Sequence, residues 1–208
     1  KNKMRLKPRG FFSKTGFNEK KLQLDEISLT NYYKSMGFKD ASISSSYEVF
    51  QDTDVNITLN ISEGKQYIIS EINYDGIKLF QNHEIQEIIN IYSGDTFNPV
   101  KLRNNLKLLK YKYLQKGKLN ISIVEDIVFE ENLTAINILI SEGATYFIRD
   151  IKVTGLTEID KKYINRELLF TKGMLYDVKI MNKTREQIFE SGLFSSVEID
   201  AQIIDNFQ

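Results

Sequence analysis

The sequence predicts an α+β protein built from tandem β-α-α-β-β repeats. Three observations predict it. The segment ISEGKQYII at residues 61–69 returns as ISEGATYFI at residues 140–148, glycines recur in the same register, and apolar residues alternate between strand and helix spacing. Gly76 and Gly155 share the period of the two segments, and so, within one residue, do Gly37 and Gly117. Independent landmarks with one period indicate a duplicated structural unit.

The middle copy opens with a short strand followed by a helix. Apolar residues recur from Ile68 to Tyr74, and the Asp-Gly pair at residues 75–76 marks the turn that ends this strand. From His83 the apolar residues fall three and four apart, as on one face of a helix, until the Ser-Gly pair at residues 93–94. The order strand then helix is therefore predicted for residues 68–94.

A second helix and a hairpin complete this repeat. Asn98 is a typical helix N-cap and Pro99 suits the first helical position, so a helix should begin there and end at Gly117. Apolar and polar residues then alternate on both sides of a turn at residues 130–132, which predicts two antiparallel strands. The Ser-Glu-Gly at residues 141–143 is interpreted as a turn that leaves the last strand, without chemistry of its own.

Three repeats are predicted, with boundaries near Lys65 and Ala144 and no flexible linkers. Residues 1–64 form a repeat truncated at its N-terminus, with a helix from Asn18 to Gly37 and a hairpin that turns at residues 51–54. Residues 65–143 form a complete repeat. Residues 144–208 form a repeat without its last strand; strands are expected at residues 148–155 and 197–203, with two helices between them.

Composition argues against several classes of function. Twenty-eight basic residues balance 28 acidic ones, so the chain lacks the positive footprint that a nucleic-acid partner requires. There is no cysteine, and the single histidine, His83, is interpreted as an exposed residue at a helix start. We therefore expect no enzyme and no catalytic, cofactor or metal site. The basic residues 1–14 are interpreted as a solvated terminal segment, with weak contact to anionic lipid headgroups as the alternative.

Three segments resemble a known family: GDTFNPVKLRNNLKLLKYKYLQKGKLNISI from Gly94, SGLFSSVEI from Ser191 and LTNYYKSMGFKDASI from Leu29. Together with the order of elements, they make the chain similar to the POTRA repeats of the Omp85 superfamily, which includes outer-membrane protein assembly factors of the BamA and TamA type. The resemblance implies that each repeat is a three-stranded mixed sheet covered by two helices. It also implies a periplasmic arm, attached to the outer membrane through a C-terminal barrel that is not in this chain.

The same resemblance implies unfolded outer-membrane polypeptides and accessory assembly subunits as partners. In that topology the last strand is central and the second strand lies at an edge, where unpaired backbone groups accept an extended client as a further strand. The candidate binding residues are Ile43, Ser44, Ser45, Ser46, Tyr47, Asn120, Ile121, Ser122, Ile123 and Val124. The alternative is that these edges are only tolerated, blunted by a bulge at Glu125-Asp126 and by the serine run.

Two other functions stay open from the residues alone. The chain is also similar to the POTRA arm of a two-partner secretion transporter. A KH-like RNA-binding array shares a β-α-α-β core, but it requires a G-x-x-G clamp between the two helices. Neither residues 93–98 nor residues 172–177 provide that clamp, so RNA binding is the weaker alternative.

Overall fold

The computed structural model describes Met4, Leu6 and residues 17–50 and 54–204. Most of the basic segment at residues 1–14, and most of the predicted hairpin turn at residues 51–54, lie outside the described residues. The interpretations of those two segments therefore stay predictions. Within the described chain, no helix combines the length and the apolar character that crossing a membrane requires.

The described elements follow the predicted order. They are α1 (Glu19–Ser35), β1 (Ser42–Phe50), β2 (Asp54–Ser62), β3 (Ile68–Asp75), α2 (Asn82–Ile89), α3 (Pro99–Leu114), β4 (Ser122–Glu130), β5 (Leu133–Ser141), α4 (Lys161–Glu167) and α5 (Val178–Glu190). The predicted N-cap of α3 is confirmed, because the side chain of Asn98 accepts from the N–H groups of Val100 and Lys101. Asn18 and Asp177 cap α1 and α5 in the same way.

Two sheets are present among the described residues. In the first repeat β1 pairs antiparallel with β2. In the middle repeat the strand order is β3-β5-β4, and β3 runs parallel to β5. The last strand of this repeat is therefore central and β4 lies at an edge, as the family topology implied. The α+β fold class is confirmed, and the middle repeat has the predicted β-α-α-β-β order.

The central strand of the middle repeat carries the alternation that builds its core. Thr134, Ile136, Ile138 and Ile140 are at most 2% exposed, whereas the residues between them are half-buried or exposed. Each fully buried isoleucine contributes about 1.5 to 3 kcal/mol through removal from water. The side-chain register of β5 is therefore fixed by one buried face.

The chain forms two compact units. The first contains the described residues within 1–75, 82–106 and 124–139, and the second contains those within 76–81, 107–123 and 140–208. This division passes through the middle repeat and differs from the three repeats read from the sequence. The boundaries near Lys65 and Ala144 stay a prediction.

The prediction of two strands in the third repeat is wrong, because the two segments are not paired as strands. Among the described residues of that repeat, Phe147 forms a single bridge with Leu175, and residues 148–155 and 197–203 are not strands. The topology of the middle repeat gives the reason. There β3 and β4 both pair with β5, and none of the described residues of the third repeat forms a central strand that could receive the corresponding hydrogen bonds. A three-stranded sheet is thus described in the middle repeat alone.

Candidate functional site

The predicted edge of the middle repeat falls partly on β4. Ser122, Ile123 and Val124 open this strand. The prediction is wrong for the two residues before them. Ile121 is buried and its N–H donates to the carbonyl of Lys118, while the amide of Asn120 donates to the hydroxyl of Tyr146 at 2.7 Å. These two residues fix the entry into β4 and are not part of its free edge.

The outer face of β4 carries two exposed valines among polar residues. Val124 and Val128 are 55% and 42% exposed, and Leu139 of the neighbouring β5 is 50% exposed. Ile127 and Phe129, on the opposite face, are half-buried. The first compact unit therefore combines an unpaired strand edge with exposed apolar side chains beside it. Both features suit an incoming strand with mixed side chains.

Charged side chains interrupt the middle of β4. Glu125 and Asp126 lie within the strand and are exposed. Glu125 shares the alternation of Ile123 and Ile127, so it is a charged residue on the inward face of an edge strand. Such a residue opposes pairing of a further strand at the edge, because the added strand would help to bury its charge, but it leaves the backbone N–H and C=O groups of the edge in place.

The edge of the first repeat is blunted by a side chain. The N–H of Ser45 in β1 donates to the carboxylate of Glu26 in α1. Because N–H directions alternate along an antiparallel strand, Ile43 and Tyr47 direct their N–H groups to the same free side. Tyr47 also packs on Phe17, with ring centroids 4.5 Å apart. In the described part of the chain, β4 has no counterpart of the Glu26 contact.

The first junction between repeats is held by backbone contacts. The N–H of Tyr67 donates to the carbonyl of Gly37 at 2.9 Å, and the Tyr67 hydroxyl donates to Asp40 at 3.1 Å. Burial, followed by the bond to Asp40, raises the pKa of Tyr67. Gly37 has a positive φ of 90°, and a Cβ there would stand 3.0 Å from the Tyr67 carbonyl oxygen. The backbone of Tyr67 therefore lies directly against Gly37 at this junction.

The second junction repeats that geometry. Tyr146 donates its N–H to the carbonyl of Gly117, also at 2.9 Å, and a Cβ at Gly117 would stand 3.0 Å from the Tyr146 carbonyl oxygen. Asn120 takes the place of Asp40 as the partner of the tyrosine hydroxyl. The repeated Gly and Tyr positions are thus explained by close approach of two backbones.

The middle repeat ends at a buried carboxylate, that of Glu142. Oε1 of Glu142 accepts from the N–H groups of Lys78 and Leu79, each at 2.7 Å, and from the hydroxyl of Tyr113. Lys118 places its Nζ 3.7 Å from Oε2. Burial opposes ionisation of this carboxyl, but the two backbone donors, the phenol and the lysine outweigh it and lower the pKa of Glu142. The interpretation of Ser-Glu-Gly as a turn without chemistry missed this role.

Sequence reasoning also missed a polar position inside the second helix of each repeat. Asp25 in α1 accepts from the N–H of Leu6, Asn105 in α3 donates to the carbonyl of Ile89, and Thr184 in α5 accepts from the N–H of Leu169. Their spacing equals the repeat period, and that was the one available signal. These bonds satisfy backbone groups of the segment preceding each helix, which is a structural role.

The described residues do not form a metal site of three or more acidic or histidine ligands. No three acidic or histidine side chains within the described ranges are grouped closely enough to hold an ion. His83 stands in the first turn of α2 and is exposed, at the place the sequence indicated.

A family model described as "POTRA: Surface antigen variable number repeat" matches residues 1–64, 67–143 and 146–207. The outer membrane protein assembly factor BamA of Buchnera aphidicola subsp. Acyrthosiphon pisum (strain APS) is 25% identical over 191 residues, which cover 90% of this chain and 31% of that protein. BamA of Neorickettsia risticii (strain Illinois) is 23% identical over 191 residues, which cover 91% of this chain and 26% of that protein. The chain spans about a third or less of these relatives.

Solved structures share the fold. The crystal structure of Haemophilus influenzae BamA POTRA3-5 matches with a TM-score of 0.69 at 20% identity, and the match covers 100% of this chain and 84% of that one. The structure of BamA from Haemophilus ducreyi lacking POTRA domains 1-3 matches with a TM-score of 0.50 at 13% identity, covering 64% of this chain and 25% of that one. At these identities the likeness is one of fold.

Proposed function

The chain belongs to the POTRA family, and from that premise we propose that it is a periplasmic binding and docking module of an outer-membrane protein assembly factor. In this proposal it receives unfolded β-barrel clients and accessory subunits by β-strand addition. It is attached to the outer membrane through a barrel outside this chain, and it binds without catalysing a reaction. The names of the similar assembly factors support the biological setting.

The observation that carries the proposal is the strand order β3-β5-β4. An edge strand presents backbone N–H and C=O groups to any extended chain, so binding there does not depend on the client's sequence. A module that handles many unfolded polypeptides needs that tolerance. The nine residues of β4 are long enough for several such bonds.

The exposed valines beside the edge add contact area. Side chains of an added strand alternate between the two faces of the sheet, so every second one would lie next to Val124 and Val128. Outer-membrane β-strands alternate apolar and polar residues in the same way. Affinity from a few backbone bonds and this contact is modest, which suits a client that is passed onward.

We favour the edge of the middle repeat over that of the first repeat as the place that receives a client strand. In β1 the N–H of Ser45 is already bound by Glu26, so strand addition there has to displace a carboxylate. Of the ten candidate residues, we therefore assign Ser122, Ile123 and Val124 to the receiving edge, which continues through the rest of β4. Ile43 to Tyr47 form a second edge that opens when Glu26 moves away.

Proline substitutions at two adjacent positions test the proposal. N–H groups alternate along β4, so one of Val124→Pro and Glu125→Pro removes a bond to β5 and the other removes an outward N–H. We expect the variant that keeps the wild-type unfolding temperature to lose binding of an extended outer-membrane-protein peptide, while alanine at the same position retains it. Equal binding by the folded proline variant and its alanine control would refute strand addition at β4.

A further inference from the structure

Glu125 is the one charged side chain in the inward row of β4. Because side chains alternate along a strand, this row consists of Ile123, Glu125, Ile127 and Phe129. The three apolar members of the row are half-buried, whereas Glu125 is exposed. A carboxylate therefore interrupts an apolar row that borders the free edge of the sheet.

The aromatic contacts of Phe129 establish which way this row points. Its ring centroid lies 5.4 Å from that of Phe97 and 5.0 Å from that of Tyr67, and both partners are buried. Phe129 therefore faces the core of the first compact unit. Glu125 stands four residues earlier in the same strand, so its side chain leaves the backbone on the same face.

The sheet supplies no cation to this carboxylate. The strands β3, β4 and β5 contain neither lysine nor arginine nor histidine, and no ion pair joins Glu125 to another described residue. Lys39 meets the row at its other end, where its Nζ lies 4.1 Å from the ring centroid of Phe129 and 3.6 Å from Asp40. Four residues of strand, about 13 Å, separate that end from Glu125. The charge at the middle of the edge is therefore left for a partner to neutralise.

An added strand changes the surroundings of Glu125. A strand that pairs with the free side of β4 places one side chain directly opposite Glu125, with the two Cβ atoms about 5 Å apart, and covers part of the carboxylate. An acidic or apolar residue at that position leaves a partly buried charge without a partner, which opposes pairing. A lysine or arginine there neutralises the charge, and arginine does so through two parallel hydrogen bonds.

We propose that Glu125 makes the β4 edge selective for extended client segments that carry a lysine or arginine with an apolar residue two positions to either side. This inference rests on the proposed function, because it concerns which strands the same edge admits. The basic residue lies opposite Glu125, and the apolar residues lie opposite Ile123 and Ile127. The other positions stay tolerant, since backbone bonds hold them. The charge pair also sets the register of the added strand, which backbone bonds alone leave open.

Three synthetic peptides test the selectivity. Each has a core of nine residues, the length of β4, in which valine and threonine alternate and glycine and serine flank the core for solubility. The central residue falls in the row of valines and is arginine, leucine or glutamate. Titration of the full chain measures affinity, and amide chemical shifts locate the bound peptide. We expect shift changes on β4, and we expect the arginine peptide to bind about tenfold more tightly than the glutamate peptide, with the leucine peptide between them.

Matched protein variants assign the preference to one side chain. Glu125→Lys should invert the order, so that the glutamate peptide binds most tightly, and Glu125→Gln should bring the arginine and glutamate peptides within about twofold of each other. Asp126→Lys makes the same change of charge at the next exposed residue, whose side chain points to the opposite face, and should retain the wild-type order. Thermal unfolding shows that each variant is folded.

Two results would overturn this inference alone. One is equal affinity of the wild type for all three peptides together with shift changes on β4, because strand addition then occurs without selectivity. The other is inversion of the order by Asp126→Lys as well as by Glu125→Lys, because the net charge of the sheet then discriminates and the inward carboxylate does not. If no peptide shifts the amides of β4, the proposed function at this edge is wrong, and this inference is wrong with it.

Discussion

The hydroxyl of Tyr113 donates to the carboxylate of Glu142 across 3.2 Å, and neither residue is more than 7% exposed. The same oxygen accepts from the backbone of Lys78 and Leu79, so one carboxylate connects the end of α3, the end of β5 and the loop after β3. The first repeat contains a related pair, because burial and then the carboxylate of Glu63 raise the pKa of the Tyr33 hydroxyl. The glutamate of ISEG is thus a structural acceptor.

Removal of the Glu142 carboxylate should destabilise the chain strongly. Glu142→Ala leaves the two backbone donors and the Tyr113 hydroxyl without their acceptor in a buried place, and we expect a loss of about 3 kcal/mol in the free energy of unfolding. Glu125→Ala removes an exposed carboxylate from β4 and should cost less than about 0.5 kcal/mol. Urea unfolding monitored by circular dichroism measures both, and equal losses would contradict the assigned role.

The same carboxylate should make stability depend on pH. Its folded pKa is lowered, so its contribution is complete above the unfolded pKa of about 4.3 and is lost as pH falls through the lower folded value. Glu142→Gln does not titrate at this position. Between about pH 5 and pH 3 the wild type should therefore lose more unfolding free energy than the variant. Parallel pH profiles of the two proteins would show that Glu142 is not the titrating group.

The register of β5 can be tested with two neighbouring residues. Ile138 is 1% exposed, so Ile138→Ala should cost about 2 to 5 kcal/mol through lost burial and the cavity left behind. Asn137 points to the other face, where it bonds the side chain of Asn73 at 3.1 Å in an exposed position. Asn137→Ala should cost about 1 kcal/mol or less. Thermal unfolding of both variants measures the two losses of stability. Comparable losses would mean that the strand is one residue out of register.

The close approach at the first junction predicts that alanine destabilises the chain more at Gly37 than at Gly94. Gly37 and Gly94 both have a φ of 90°, so alanine at either position costs about 1 to 2 kcal/mol of backbone strain. At Gly37 the new Cβ also meets Thr96 and Tyr67, whereas at Gly94 nothing lies within 4 Å. We expect Gly37→Ala to cost about 1 to 3 kcal/mol more.

Limited proteolysis near residues 62–66 measures how readily the same junction opens, because cleavage needs local opening. The wild type and Gly94→Ala should resist cleavage there, and Gly37→Ala should be cut faster. Equal cleavage of all three proteins would mean that the contact at Gly37 does not hold the junction closed.

The elements that sequence predicted well are those set by local patterns. The cap at Asn98, the helix α3 and the alternation of β5 follow from neighbours in the chain. The role of Glu142 did not follow, because its donors at residues 78–79 lie 63 and 64 positions away. The prediction of strands in the third repeat was wrong for a related reason. A segment with a strand pattern such as residues 197–203 becomes a strand only when a partner supplies its hydrogen bonds.

The candidate edge was predicted in part. Its location followed from the resemblance, since no local pattern distinguishes an edge strand from a central one. The Glu26 contact that covers Ser45 and the local bond of Ile121 depend on the folded chain, and the sequence carried no signal for either.

The most direct test of strand addition is the location of a bound client. Amide chemical shifts of the labelled chain are recorded while an extended outer-membrane-protein peptide is titrated. We expect shift changes to cluster on Ser122–Glu130, with smaller changes on β1 that grow when Glu26→Ala uncovers Ser45. Changes confined to the exposed face of α3, around Arg103 and Lys107, would contradict binding at the β4 edge.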